Sequence, residues 1–152
     1  MERGAETVDR TGLEVLTMPE CMRLVGTVPV GRMAMIDRGE IVVFPVNHII
    51  DRHVVAFRTA YGAKMEAALM RHVVSFEADA YDADAHTGWS VVIKGRADLV
   101  TDDEDLTRLE ASGLRPWSNP VARDTWVVIR ATEVSGRRIL PSDADQAQAL
   151  TS

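Results

Sequence analysis

Short apolar segments rich in β-branched residues recur along this chain, and most are joined by short turns rather than by helices. Asp37-Arg38-Gly39-Glu40 is typical of a hairpin turn, and Gly95 predicts a bulge in a long strand. Because strands and helices do not alternate regularly, the pattern favours a mainly β fold over a doubly wound parallel sheet. We expect an antiparallel barrel with peripheral helices. The predicted strands cover residues 27–36, 41–46, 54–57, 72–79, 88–101 and 124–134.

Two or three short helices accompany these six strands. Thr17 is a typical N-cap and Gly26 a typical end for the first helix, and the others are predicted at about 63–71 and 102–112. Residues 47–53 read as a polar corner and 81–87 as an acidic loop. We expect a loose arm over residues 1–12, one folded domain over 13–140 and a disordered tail over 141–152.

The composition restricts the functional class. The chain has 152 residues, a net charge of −6 and a pI near 5.2, which argues against a nucleic-acid binder but allows a local basic pocket. No apolar run approaches the roughly 20 residues that span a bilayer, and the N-terminus does not resemble a secretory signal. With Cys21 as the single cysteine, we expect a cytoplasmic protein that does not interact with membranes.

The segment Val54–Leu69 combines a buried strand, a turn and an amphipathic helix. Arg58 and Thr59 stand at the predicted strand end, and Lys64 lies in the first turn of the helix. A guanidinium, a hydroxyl, an ammonium and free backbone N–H groups together suit a phosphate. The alternative is that these charges are ordinary solvated surface groups.

Other chemistry-bearing residues give weaker patterns. His48 and His53 lack the spacing of zinc ligands and read as surface or loop residues, so we expect no metal site. Cys21 reads as a buried small hydrophobe. Trp117 and Trp126 read as packing residues, whereas Trp89 is a candidate functional residue.

Four pieces in order resemble the pyridoxamine 5'-phosphate oxidase-like flavoproteins, whose fold is the FMN-binding split β-barrel. The pieces are GRMAMI (31–36), VVAFRTAYGAK (54–64), GWSVVIKGRA (88–97) and the closing RPWSN with TWVVIRATEVSGRRI. They cover most of the chain, from about Thr17 to Leu140.

The resemblance implies a homodimer with FMN between two barrels. It assigns the isoalloxazine to the backbone of residues 32–36, with an apolar wall of Met33, Met35, Val55 and Phe57. The phosphate contacts would be Arg58, Thr59 and Lys64, and further contacts would come from the long strand and from the SGRRI piece. The candidate cofactor-binding residues are Arg32, Met33, Ala34, Met35, Ile36, Phe57, Arg58, Thr59, Lys64, Trp89, Ser90 and Arg137.

The resemblance leaves the reaction open. Ala63-Lys64 stands where several relatives have two basic residues, and the chain is shorter than the true pyridoxamine phosphate oxidases. An oxidoreductase acting on an unidentified small molecule is the main hypothesis. The alternatives are a deazaflavin-coenzyme protein, a haem protein with His48, His53 or His86 as the axial ligand, and a non-catalytic flavin carrier or sensor. The last is suggested because no acid or base is identifiable in the predicted cofactor cleft.

Overall fold

The computed structural model describes residues 8–60, 62–118, 125–142 and 150–151. In this part of the chain, eight antiparallel strands form one curled sheet in the order β3-β2-β6-β7-β8-β5-β4, and β1 pairs with β8. The strands are β1 (Glu14–Val15), β2 (Val30–Asp37), β3 (Glu40–Asn47), β4 (Ile49–Asp51), β5 (Val54–Thr59), β6 (Val73–Asp82), β7 (Thr87–Leu99) and β8 (Thr125–Ile139). The helices are α1 (Met18–Val25), α2 (Ala63–Leu69) and α3 (Asp103–Ala111).

This architecture confirms the predicted mainly β fold, a split antiparallel barrel with peripheral helices. The main core lies inside the curled sheet, where Met33, Phe57, Phe76 and Ile93 are fully buried. Cys21, on α1, is buried in the same core, as predicted. The sheet path ends at β3 on one side and at β4 on the other.

A second, smaller core lies on the outer side of β5 and β8, where α3 covers them. Leu109 of α3 packs there with Ala56, Trp126 and Val128. Trp126 is therefore a packing residue, as predicted. Trp117 is 69% exposed and therefore does not pack in the core of the single chain, and its packing at a dimer interface stays a prediction.

Several predicted boundaries are wrong because backbone pairing continues through polar sequence. The predicted polar corner over 47–53 contains β4, and the acidic loop over 81–87 shrinks to a turn at 83–86 between β6 and β7. The last strand runs to Ile139, beyond its predicted end. In each case the main-chain groups find partners on the neighbouring strand.

Two glycines explain local features of the sheet. Gly39 has φ +80° in the β2–β3 hairpin, as the turn prediction requires. The β7–β8 register shifts between Lys94 and Gly95, which confirms the predicted bulge. A Cβ at Gly95 would overlap the carbonyl oxygen of Arg130, so only glycine fits without a backbone shift.

Part of the predicted N-terminal arm is attached to the sheet. Residues 1–7 lie outside the described residues, but Asp9 accepts a hydrogen bond from Arg137 Nε of β8 at 3.1 Å. The pKa of Asp9 is lowered to about 2, chiefly because the Thr11 hydroxyl donates to its carboxylate. Most of the predicted tail (143–149 and 152) also lies outside the described residues, so the domain boundaries stay a prediction.

Candidate functional site

Alternation along β2 separates the candidate residues of this strand into two groups. Arg32, Ala34 and Ile36 point to the outer face of the sheet, whereas Met33 and Met35 point into the core. Ala34 pairs with Val43 on one side and Ser75 on the other, so its row continues across β3 and β6. The outer face is therefore the side on which β2 side chains are available to a ligand.

The side chains predicted to form an apolar wall against the flavin do not lie on an accessible surface. The side chains of Met33, Val55 and Phe57 are fully buried, and Met35 is 6% exposed. They stabilise the barrel core, because side chains with no accessible surface cannot contact a ligand outside it. The expected backbone contact along residues 32–36 stays a prediction.

Two carboxylates lie beside Arg32 on the outer face. Arg32 Nη1 is 3.5 Å from Glu77 Oε2 and 3.6 Å from Asp79 Oδ2. The pKa of Glu77 is raised to about 7, because partial burial and then the neighbouring Asp79 outweigh the attraction of Arg32. Glu77 is thus a titratable acid at neutral pH, and sequence reasoning missed it. The strand register, in which Glu77 pairs directly with Arg32, identifies it.

Three other candidates lie where β6, β7 and β8 pair, with Ser90 on the outer face of the sheet and Trp89 packed against the main core. Ser90 of β7 pairs with Asp79 of β6 and with Arg137 of β8. Trp89, Ser90 and Arg137 line a small cavity of about 170 Å³. The Arg137 guanidinium is half-exposed and is held by Asp9. The structure thus connects Arg32, Ser90 and Arg137 through Asp79.

The cavity beside Trp89 is too small for a flavin. Ligand pockets usually measure about 300–1,000 Å³, whereas this one is about 170 Å³. Its walls come from β6, β7 and β8 with Leu13. A large aromatic ligand on this face would need a further wall.

The structure does not bring Arg58 together with Thr59 and Lys64. Consecutive residues of a strand point to opposite faces, so Arg58 turns toward α3 while Thr59 turns toward the barrel. The guanidinium carbon of Arg58 lies 5.2 Å from the Trp126 ring centroid, and Arg58 Nη2 is 3.5 Å from Glu110 Oε1. The predicted convergence of these three residues on one phosphate is therefore wrong.

Thr59 and Lys64 remain at the opening of the barrel. Thr59 Oγ1 donates to the Ala60 carbonyl oxygen at 3.1 Å, and its residue is buried. Lys64 Nζ lies 5.5 Å from the ring centroid of Phe44 on β3. Since Phe44 pairs with Met33, the start of α2 reaches the sheet beside β2. The Lys64 ammonium group thus lies near β2 and β3 on the core side of the sheet, opposite the face that carries Arg32.

The histidines are not arranged as metal ligands. Among the described residues, no group of three or more His, Cys, Asp or Glu side chains lies close enough to hold a metal ion. His48 is buried, its Nε2 is 2.8 Å from the Val25 carbonyl oxygen, and its ring meets Phe76 edge-on at 5.0 Å. The interpretation of His48 as a surface residue was therefore wrong. It is also a poor haem ligand, because this hydrogen bond occupies Nε2.

Comparison with known proteins identifies the family. The family model for pyridoxamine 5'-phosphate oxidase matches residues 17–138, well over half of the chain. The chain belongs to this family. An uncharacterised family relative in Mycobacterium tuberculosis is 38% identical over 130 residues, covering 82% of this chain and 84% of that protein.

Solved structures agree with the family assignment. The FAD binding protein from Mycobacterium smegmatis is 34% identical, with a TM-score of 0.70 over 83% of this chain and 99% of that one. An FAD-binding protein from Mesorhizobium loti shares the fold, with a TM-score of 0.68 and 22% identity over 83% of this chain and 96% of that one. Within the described part of this family member, no helix is long and apolar enough to cross a membrane.

Proposed function

We propose that this protein binds a flavin nucleotide, FMN in the first instance, and acts as an oxidoreductase on a small molecule. The observation that carries the proposal is the outer sheet face, where Arg32, Ser90 and Arg137 are connected through Asp79. The 34% identity with an FAD binding protein supports a flavin and makes FAD the alternative to FMN. A bound flavin would supply the hydride or electron transfer.

The residues on this face and at the barrel opening fit a phosphate-bearing aromatic group. Lys64 offers an ammonium group, and Arg32 and Arg137 offer guanidinium groups that are at least one-third exposed. The backbone of β2 would run beside the ring, as the resemblance implies. Arg58 has no part in this binding, because its guanidinium is buried against Trp126.

Glu77 favours an enzyme over a passive carrier. With its pKa near 7, this carboxyl group can hold or release a proton at neutral pH. It lies beside Arg32, so a proton would be exchanged next to the strand assigned to the ring. The carrier hypothesis rested on the lack of any acid or base, and Glu77 supplies one.

We further propose that the protein works as a homodimer that closes the site. Exposed apolar residues occupy the outer face of β2, β3 and β6: Ile36, Ile41, Val43 and Val73. A second copy packed on this face would bury them and add the wall that the small cavity beside Trp89 lacks. The site is thus incomplete in one chain.

The flavin test is a visible absorption spectrum after FMN or FAD is added and the excess is removed. We expect a retained flavin spectrum, and calorimetry then decides which nucleotide binds more tightly. Stopped-flow reduction by NADH, NADPH or reduced deazaflavin coenzyme tests for turnover. A folded protein that retains neither flavin at micromolar concentration would refute the proposal, and retention without reduction by any donor would support the carrier.

The dimer test introduces a charge on the apolar face. Ile41→Glu should produce monomers in analytical ultracentrifugation and should weaken flavin retention with them. Met18→Glu is the matched control, because Met18 is half-exposed at the start of α1 and away from this face. A wild-type monomer that retains flavin would contradict the dimer proposal alone.

A further inference from the structure

A second cavity is lined by none of the candidate flavin residues. Its volume is about 520 Å³, and it opens between the β4–β5 hairpin, the end of α2, and α3. Buried apolar side chains of Ala68, Leu109 and Val128 line it. Its size lies within the range of small-molecule sites, about 300–1,000 Å³.

Three of the four carboxylates that line this cavity bind arginines, and the fourth, Asp102, accepts a hydrogen bond from the backbone N–H of Glu104 at the N-terminus of α3, where negative charge is stabilised. Arg108 Nε and Nη2 bind the two carboxylate oxygens of Asp51 at 2.8 Å each, and Nη2 also reaches Asp105 Oδ1 at 2.6 Å. Arg130 Nε binds Asp98 Oδ2 at 3.0 Å. A ligand entering the cavity therefore meets ion pairs rather than unpaired negative charge.

Two further arginines, Arg52 and Arg71, also line the cavity. Within the described part of the chain, Arg52 and Arg71 form no ion pair at hydrogen-bonding range, although Arg52 acts on Asp51 electrostatically. The Arg71 carbonyl oxygen accepts a 2.9 Å hydrogen bond from Arg96 Nη1, which fixes the backbone that presents Arg71.

Both arginines are presented by strained backbone. Arg52 has φ +47° and Arg71 has φ +52°, in the left-handed region that favours glycine. In the β4–β5 hairpin, His53 also has a positive φ, so neither turn position carries the asparagine or glycine that such a turn prefers. Strain of this kind costs stability and is concentrated at functional sites.

We propose that this cavity is a second binding site, separate from the flavin face, for a small organic anion. The ligand has an apolar, ring-sized body that packs on the lining side chains with accessible surface, Val54, Leu69 and Val100. It carries one carboxylate, sulfonate or phosphate group that accepts hydrogen bonds from Arg52 and Arg71. The cavity favours an anion over a cation because Arg108 and Arg130 already bind three of its four carboxylates, whereas Arg52 and Arg71 form no ion pair within the described residues.

The test is calorimetry with the naphthoate anion and with naphthamide, its neutral amide of nearly the same shape. We expect naphthoate to bind at least about tenfold more tightly, because a hydrogen bond to a charged group contributes about 1.5–3 kcal/mol. Prior saturation with FMN should leave naphthoate binding unchanged. Displacement by FMN would show that the cavity is the flavin site and would overturn the proposal of a separate one.

The variants test the two arginines. Arg52→Gln/Arg71→Gln should lose the preference for naphthoate while naphthamide binds as before, and retained naphthamide binding shows that the variant is folded. Arg38→Gln is the matched control, since Arg38 also has a positive φ but lies in the β2–β3 turn. The proposal fails if wild type does not bind naphthoate at millimolar concentration, binds both probes equally, or loses no preference in the double variant.

Discussion

Replacing Lys64 and Arg58 separately by methionine distinguishes two cations that lie close together in sequence but face different parts of the structure. Lys64 lies at the barrel opening beside Phe44. The Arg58 side chain is only 8% exposed and is held between Trp126 and Glu110. We expect Lys64→Met to weaken FMN binding. Arg58→Met should lower the free energy of unfolding without changing FMN binding.

The expected magnitudes follow from these contacts. A charge-assisted bond from Lys64 to a phosphate is worth about 1.5–3 kcal/mol, or roughly 10- to 150-fold in the dissociation constant of FMN. Arg58→Met removes a cation–π contact of about 0.5–2 kcal/mol and an ion pair with half-exposed Glu110 worth about 0–1 kcal/mol. Because Arg58 Nε is buried without a hydrogen-bond partner among the described residues, its removal offsets part of that loss. The net loss of unfolding free energy should be about 1–2 kcal/mol.

The assays are calorimetric titration with FMN and riboflavin, and urea denaturation. Lys64→Met should leave riboflavin affinity within about twofold, since riboflavin lacks the phosphate, and Arg58→Met should leave both affinities within about twofold. Lys94→Met is the matched control, because Lys94 is a half-exposed lysine paired with Glu133. If Lys64→Met lowered the affinity for riboflavin as much as the affinity for FMN, Lys64 would act through folding. A selective loss of FMN in Arg58→Met would refute the placement of Arg58.

Three further predictions concern stability in urea denaturation. The free energy of unfolding should fall as pH rises from about 4.5 to about 7, because the pKa of Glu77 is higher in the folded protein than its ordinary value of 4.5. Glu77→Gln should reduce this dependence on pH. Gly136→Ala should destabilise by about 1–3 kcal/mol, because the new Cβ would lie 2.5 Å from Cys21 Sγ, and adding Cys21→Ala should recover part of the loss. Arg108→Met should cost about 1–3 kcal/mol, because it leaves the mostly buried Asp51 carboxylate without its bidentate partner; unchanged stability would contradict that role.

The extent of the strands was harder to predict than their existence. Apolar runs such as Val54–Phe57 located strands because burial on one or both faces selects them. The segment YDADAHT contains no such run, yet Tyr81 and Asp82 pair with Gly88 and Thr87. Main-chain hydrogen bonding between strands does not depend on the outward side chains. A polar segment of a strand therefore resembles a loop in the sequence until its partner strand is known.

The candidate site was also only partly predictable from the sequence. Arg32, Ser90 and Arg137 come from three strands, and only the register connects them through Asp79. Glu77 carried no motif, and its unusual acidity arises from burial and from Asp79. The period of two in a strand already implies that Arg58 and Thr59 face opposite sides, but which side holds the ligand depends on the fold.

By itself, the sequence determined the fold class, the order of six of the eight described strands and the family, because these depend on local periodicity and on short motifs. The tertiary structure decided which candidates share a surface, since that depends on strand pairing over long sequence separations. It placed Met33 and Phe57 in the core, turned Arg58 toward α3 and aligned Glu77 with Arg32. It also formed the cavity at Arg52 and Arg71 from segments that lie far apart in the chain.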